Sequence, residues 1–235
     1  MAPKRQAVYL LDADPDLADA LDAETLAKAR PYSVVRVHIV EAGPWLPAAE
    51  WEAEPGRIGL LILDGILARD VEVRDRVGTE LLGPGDLVRP WDDDEEPLAS
   101  VPATVTWTAL SSVRLASLDA RFAVVAGRWP ALMSAIVARS VRRSRALAFR
   151  LALTQVTGVD VRLRVLFTEL VGRWGYVRPD GVALRVRLTH ETLARLIGAR
   201  RPSVTTALRA LQNEGIVVRE ADDLWLLPGE PVSAG

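Results

Sequence analysis

The chain has 235 residues and no cysteine. Disulfides, iron–sulfur clusters and thiolate zinc sites are therefore excluded. Histidine is almost missing as well: His38 and His190 are the whole supply of imidazole. A metal-dependent enzyme built on a β-roll needs two or three histidines with a carboxylate, and only His38 falls in the strand-rich part. No catalytic residue, metal or cofactor is expected. Long apolar runs are absent too. Segments such as Ile58-Gly-Leu-Leu-Ile-Leu63 are far too short to cross a bilayer. The opening Met1-Ala-Pro-Lys-Arg-Gln lacks the apolar stretch of a signal peptide, so the expectation is a soluble cytoplasmic protein with no membrane partner.

Lysine is missing from residues 121–220, which hold 18 Arg and 6 acids, a balance of +12. Residues 1–120 hold 11 Lys/Arg against 22 Asp/Glu, a balance of −11. The net charge of −2 thus conceals an acidic front and a basic back. A split of this kind suggests a back half that meets a polyanion and a front half with another task; the alternative is two solvated domains of opposite charge.

The first thirty residues are rich in Ala, Leu and acids at helical spacing, which predicts one or two short helices. Within them Asp12-Ala-Asp-Pro-Asp16 reads as an N-terminal cap before Leu17, since carboxylates favour that end of a helix. From Tyr32 to about Leu118 the chain turns to short β-type runs: Ser33–Val40, Gly59–Val71, Thr104–Ala109 and Ser112–Leu118. Gly, Pro and Asp separate them, and Gly83-Pro-Gly-Asp86 has the composition of a tight turn. Strand-length runs at this spacing predict a compact antiparallel roll.

Helix follows. Pro130 suits a first helical turn, and no Pro or Gly intervenes before Gly158. Met133, Val137, Ser140, Ser144, Leu147 and Leu151 step by four and three, the spacing of a two-stranded seam. The seam serves either a second copy or the chain's own roll. Gly158 to Trp174 reads as a second amphipathic helix.

The most informative stretch runs from Leu188 to Gly215. Thr189 is a good N-cap, with Glu191 in the first turn. Leu193, Leu196 and Ile197 form an inward stripe, and Gly198 supplies the corner. Pro202 then opens a second helix whose Val204, Leu208 and Leu211 face inward. Two short helices about a glycine corner make a helix-turn-helix. Facing out from the second are Arg200, Arg201, Ser203, Thr205, Thr206 and Arg209, residue types suited to guanine edges and phosphates. Ile216 to Leu227 reads as a hairpin turning at Ala221-Asp-Asp, the wing of a winged helix.

From about residue 33 to 227 the chain resembles the cyclic-AMP receptor protein and fumarate–nitrate reduction regulator (Crp/Fnr) family of bacterial transcription factors. The resemblance rests on Gly59-Leu-Leu-Ile-Leu-Asp-Gly-Ile-Leu, on Leu82-Gly-Pro-Gly-Asp-Leu-Val, on the long helix, and above all on Leu188 to Val217. It implies an α+β fold: an antiparallel cyclic-nucleotide-binding-like roll (a double-stranded β-helix), a long dimerisation helix and a C-terminal winged helix-turn-helix. The corresponding domains are 1–128, 129–156 and 157–235. It implies a homodimeric regulator on a pseudo-palindromic double-stranded DNA operator, with RNA polymerase as a candidate further partner. By position Thr189 would touch the DNA backbone, while Arg201, Pro202 and Thr206 occupy base-reading positions. The founding member has Glu and a second Arg where this chain has Pro202 and Thr206, which implies a different operator.

On the effector side, relatives that bind cyclic nucleotides follow the turn matching Gly83–Asp86 with a Gly-Glu pair, and then with an arginine for the phosphate. Here Arg89-Pro90 replaces that pair, and no Arg or Lys occurs between Arg89 and Arg114. The same span carries five consecutive acids, Asp92 to Glu96. They read as a solvated loop between Pro90 and Pro97 and would repel a phosphate. The expectation is a regulator that does not answer to cyclic AMP, its effector unknown and its pocket region comprising Gly85, Asp86, Arg89 and Trp91. The alternative is another small ligand, such as a cyclic dinucleotide, held by the roll or by Arg142, Arg143 and Arg145 of the long helix.

Overall fold

The computed structural model describes residues 6–47, 55–92, 102–220 and 224–229. They group into two compact units, one drawn from Met1–Asp75 and Leu81–Arg145, the other from Arg76–Glu80 and Ala146–Gly235.

The strands before Pro130 form a roll of two antiparallel sheets. One has the order β1(Gln6–Tyr9), β2(Val34–Val40), β9(Val113–Leu118), β4(Gly59–Asp64), β7(Leu87–Val88). The other has the order β3(Gly43–Trp45), β8(Ala103–Ala109), β5(Leu67–Val73), β6(Arg76–Leu82). The register of β4 on β9 sets Leu60 opposite Ser117 and Ile62 opposite Leu115. It shifts between Ile62 and Asp64, a bulge that ends the regular pairing.

Successive residues of a strand face opposite sides of its sheet. Leu60 and Ile62 therefore join the core between the sheets, with Trp45, Leu67, Leu82, Val88, Trp91, Trp107 and Leu115. Leu61 joins a second core on the far side of the five-stranded sheet. That second core is closed by short helices α1(Leu10–Ala13), α2(Pro15–Ala18) and α3(Ala23–Ala29), by α4(Ala120–Ala126), and by Leu132 and Ile136 at the start of α5(Pro130–Gln155). Burial on both faces explains why β4 is a continuous apolar run rather than an alternating one.

The cap expected before Leu17 is present, and two further aspartates cap helices in the same way. Asp14 accepts from the Leu17 amide at 3.2 Å, Asp22 from that of Thr25 at 2.8 Å, and Asp119 from that of Phe122 at 2.9 Å. Asp12 forms a two-pronged ion pair with Arg30, at 2.7 Å in each arm. That bond holds the Asp12 carboxyl below the usual carboxylate range. The Asp12–Asp16 cluster is thus occupied by caps and ion pairs.

In α5, Leu132, Ile136, Arg139, Arg150 and Leu153 are buried. Arg139, 4% exposed, donates to Asp14 Oδ1 at 2.6 Å and to the Gly85 carbonyl at 3.4 Å. An arginine was not expected in this core; its charge is tolerated because the Asp14 carboxylate is buried with it. On the outer side of the helix Val137, Val141, Leu147 and Leu151 are exposed, Val137 at 58% and Leu151 at 68%. Of the predicted seam, Ser140 and Ser144 are also exposed, whereas Met133 packs against the second core.

The second unit contains α6(Val159–Trp174), α7(His190–Leu196), α8(Arg201–Asn213) and a four-stranded sheet. The sheet has the order β10(Gly175–Arg178), β11(Gly181–Leu184), β13(Trp225–Pro228), β12(Val218–Arg219). Leu163, Leu166, Phe167 and Leu170 form the buried face of α6. The turn expected at 221–223 lies outside the described residues.

Candidate nucleic-acid interface

The helix-turn-helix is assembled by local chemistry. The Thr189 hydroxyl accepts from the Thr192 amide at 3.0 Å, capping α7. Glu191 pairs with Arg195 one turn on, at 3.3 Å. Leu193, Leu196 and Ile197 are buried. Gly198 takes φ 63, the left-handed corner that a Cβ disfavours. Arg162 of α6 donates to the Ile197 carbonyl at 2.9 Å and so satisfies the end of α7. Arg200 is the extended N-cap residue of α8, and Pro202 sits in its first turn. Val204, Leu208 and Leu211 anchor the helix inward, and Gly215 at φ 70 ends the turn after it.

The wing is fastened to the same core. Trp225 is fully buried, its ring centroid 5.1 Å from that of Phe167. Its Nε1–H donates to the carbonyl of Leu188, at the entry to α7, at 3.1 Å.

With these anchors in place, Arg200, Arg201, Pro202, Ser203, Thr206 and Arg209 are exposed along α8, and Thr189 is exposed at the start of α7. Thr205 differs from the expectation of an outward residue. It is half-buried, donates to the Arg201 carbonyl at 3.1 Å and lies 2.9 Å from Nδ1 of His190.

His190 is a feature the sequence reading missed. Partial burial and the charges of Arg219, Arg201 and Arg209 push its imidazole below the usual value of 6.5. Arg219, on β12, therefore acts on the same patch as the recognition helix although it lies far along the chain. No local pattern could have shown this.

In the roll, the Gly83–Asp86 turn closes on itself. The Asp86 carboxylate accepts from the Gly83 amide at 2.8 Å and is buried. Gly85 takes φ 85, and a Cβ there would collide with the Arg139 guanidinium. Arg89 is fully engaged, pairing with Asp92 at 2.6 Å and donating to the carbonyls of Arg57 and Ile58. Trp91 is buried, and the guanidinium groups of Arg57 and Arg89 stand over its ring at 5.4 and 5.5 Å. Trp45 and Trp107 meet edge to face at 5.6 Å in the same core. Of the acid run only Asp92 is described; residues 93–96 lie outside the described residues.

A helix-turn-helix packed on a third helix and flanked by an antiparallel sheet defines a winged-helix DNA-binding domain. Residues 161–227 match the Crp-like helix-turn-helix domain. No curated protein matches the chain by sequence. Solved structures similar to it include a CooA variant from Carboxydothermus hydrogenoformans (17% identity, 90% of this chain and 89% of that one, TM-score 0.59). A CRP/FNR-family transcriptional regulator from Thermus thermophilus aligns at 19% identity over 82% and 93% of the two chains, with a TM-score of 0.56. The c-di-GMP responsive global regulator CLP of Xanthomonas campestris aligns at 17% identity over 88% and 100%, with a TM-score of 0.59. The chain has the fold of the Crp/Fnr transcription regulators, and residues 161–227 form a Crp-like helix-turn-helix domain.

Proposed function

We propose that the protein is a homodimeric, cytoplasmic, sequence-specific DNA-binding transcription regulator that does not use cyclic AMP. One observation carries the reading: the exposed face of α8 presents Arg200, Arg201, Ser203, Thr206 and Arg209 while its other face is anchored in the core. Guanidinium and hydroxyl groups on a helix that can enter the major groove are suited to base edges and phosphates. Thr189 at the start of α7 is assigned to the DNA backbone, and Arg201 to a guanine.

Dimerisation is assigned to the outer side of α5. Val137, Val141, Ser144, Ala148 and Leu151 there step by four and three, all exposed. A run of exposed apolar and small residues along one side of a long helix is a surface that a partner helix can cover. A pair of recognition helices would then address half-sites one helical turn apart.

Independence from cyclic AMP rests on the state of the roll. Arg89, which follows the turn, is already bound to Asp92, Arg139 beside it is bound to Asp14, and three tryptophans lie in the core between the sheets. A second reading, a cyclic dinucleotide as effector, draws on an open groove of about 440 Å³ along α5, where Arg142 and Arg145 stand beside Ser134, Val137 and Val141. The same face carries the dimer stripe, so the two uses compete. A melting-temperature screen against cyclic mono- and dinucleotides separates them, since a ligand at about a hundredfold its Kd stabilises by about 2.7 kcal/mol.

Fluorescence anisotropy with palindromic duplexes tests the main reading. Binding that exceeds random DNA and persists as salt rises is expected. Equal affinity for all sequences at low salt would contradict it.

A further inference from the structure

We propose that Thr206 reads a thymine through methyl–methyl contact, next to a guanine read by Arg201. This deepens the DNA-binding reading above and rests on it. Pro202, Thr206 and Arg209 recur at helical spacing on α8 and are all exposed, while Val204, Leu208 and Leu211 are buried on the other side. Thr206 therefore stands on the face turned away from the core, in the second turn of the helix. Its hydroxyl donates back to the Pro202 carbonyl at 3.2 Å. With its hydroxyl engaged by its own helix, the exposed residue has its methyl as the group left to meet a ligand. One turn earlier the outward residue is Pro202, a ring of carbons with no side-chain donor or acceptor.

The middle of the reading face is thus apolar, and Arg201 beside it is the exposed cation of the first turn. The C5 methyl of thymine is the one apolar feature of the major groove and accepts contact from a threonine methyl. Glutamate at the Pro202 position would have accepted from cytosine, and a second arginine at the Thr206 position would have sought guanine. Neither chemistry is present here. Arg201 and Thr206 are five residues apart, about 7.5 Å along the helix. That matches about two base-pair steps of DNA at 3.4 Å each, so each half-site should carry a guanine with a thymine about two steps from it.

The test uses the full-length protein and an operator enriched from a randomised palindromic duplex pool. Deoxyuridine then replaces each thymidine of the half-site in turn, which deletes only the methyl. One position per half-site should weaken binding by about fourfold per methyl lost, the value of one buried carbon. Thr206→Ser, which keeps the hydroxyl and loses the methyl, should bind the two operators alike. Thr206→Val, which keeps a methyl and loses the hydroxyl, should still discriminate. Equal binding of both operators by the unaltered protein would overturn the proposal. So would discrimination that survives in Thr206→Ser, because another group would then touch the thymine methyl, or discrimination that vanishes in Thr206→Val, because a methyl at this position would then not be what reads it. If no operator is enriched at all, the DNA-binding reading falls and takes this inference with it. If an operator is enriched but deoxyuridine has no effect, only the methyl contact is lost.

Discussion

The arginines beside the turn of the roll and those along α8 of the winged helix are used in opposite ways. In the roll Arg139 is buried against Asp14, and Arg89 is bound to Asp92 and two backbone carbonyls. In the winged helix Arg200, Arg201 and Arg209 lie exposed on one helix, and Arg219 adds its charge from the wing strand. A guanidinium that is already satisfied has little to offer an incoming anion, whereas exposed ones can exchange water and counterions for phosphate.

The largest effect that would sharpen this contrast lies in the roll. Arg139→Ala leaves the Asp14 carboxylate buried without its partner and should destabilise the roll by about 3–5 kcal/mol. Urea unfolding followed by tryptophan fluorescence would measure it. A loss no larger than that of an exposed ion pair, about 0–1 kcal/mol, would show that the arginine is not structural. In the winged helix, Trp225→Phe leaves the Leu188 carbonyl without its buried donor and should cost about 1–3 kcal/mol of domain stability by the same measurement.

Arg201→Ala should leave folding intact and reduce discrimination between operator and variant duplexes by about 1–3 kcal/mol. An equal loss on every sequence would make Arg201 a phosphate contact instead. The smallest effect is proton-linked. With His190 held below its ordinary value by Arg219, Arg201 and Arg209, the folded domain binds fewer protons than the unfolded chain just below pH 6.5. Stability contributed by His190 is present above that pH and is lost as pH falls. DNA phosphates near the same arginines would offset their charge and raise the imidazole, so bound DNA favours the protonated form. Affinity should therefore rise as pH drops from 8 towards 6, and His190→Gln should flatten the trend. A slope unchanged in His190→Gln would place the titrating group elsewhere.

The two regions also differed in how much the sequence revealed. The helix-turn-helix was legible residue by residue because its determinants are local. Thr189 caps, Gly198 turns, Pro202 starts a helix, and Val204, Leu208 and Leu211 recur at helical spacing. The long helix and most strand stretches were equally plain, although Gly59–Val71 proved to be two strands of different sheets, β4 and β5, and β6 was not foreseen. Short edge strands were not: Gln6–Tyr9, Gly43–Trp45 and Leu87–Val88 are held by pairing with distant partners rather than by their own composition. The burial of Arg139 was also invisible, since it depends on Asp14 arriving from 125 positions away. So was the turn of Thr205 towards His190, a contact between two helices that the sequence showed only separately.

The measurement that bears most directly on the central claim is the affinity of the full-length protein for its enriched operator, with and without saturating cyclic AMP. The account predicts the same Kd in both, with the operator preferred over random duplex by about a thousandfold or more. Tightening by about tenfold on adding cyclic AMP, a coupling free energy of about 1.4 kcal/mol, would show that the roll still senses the nucleotide and would contradict the account.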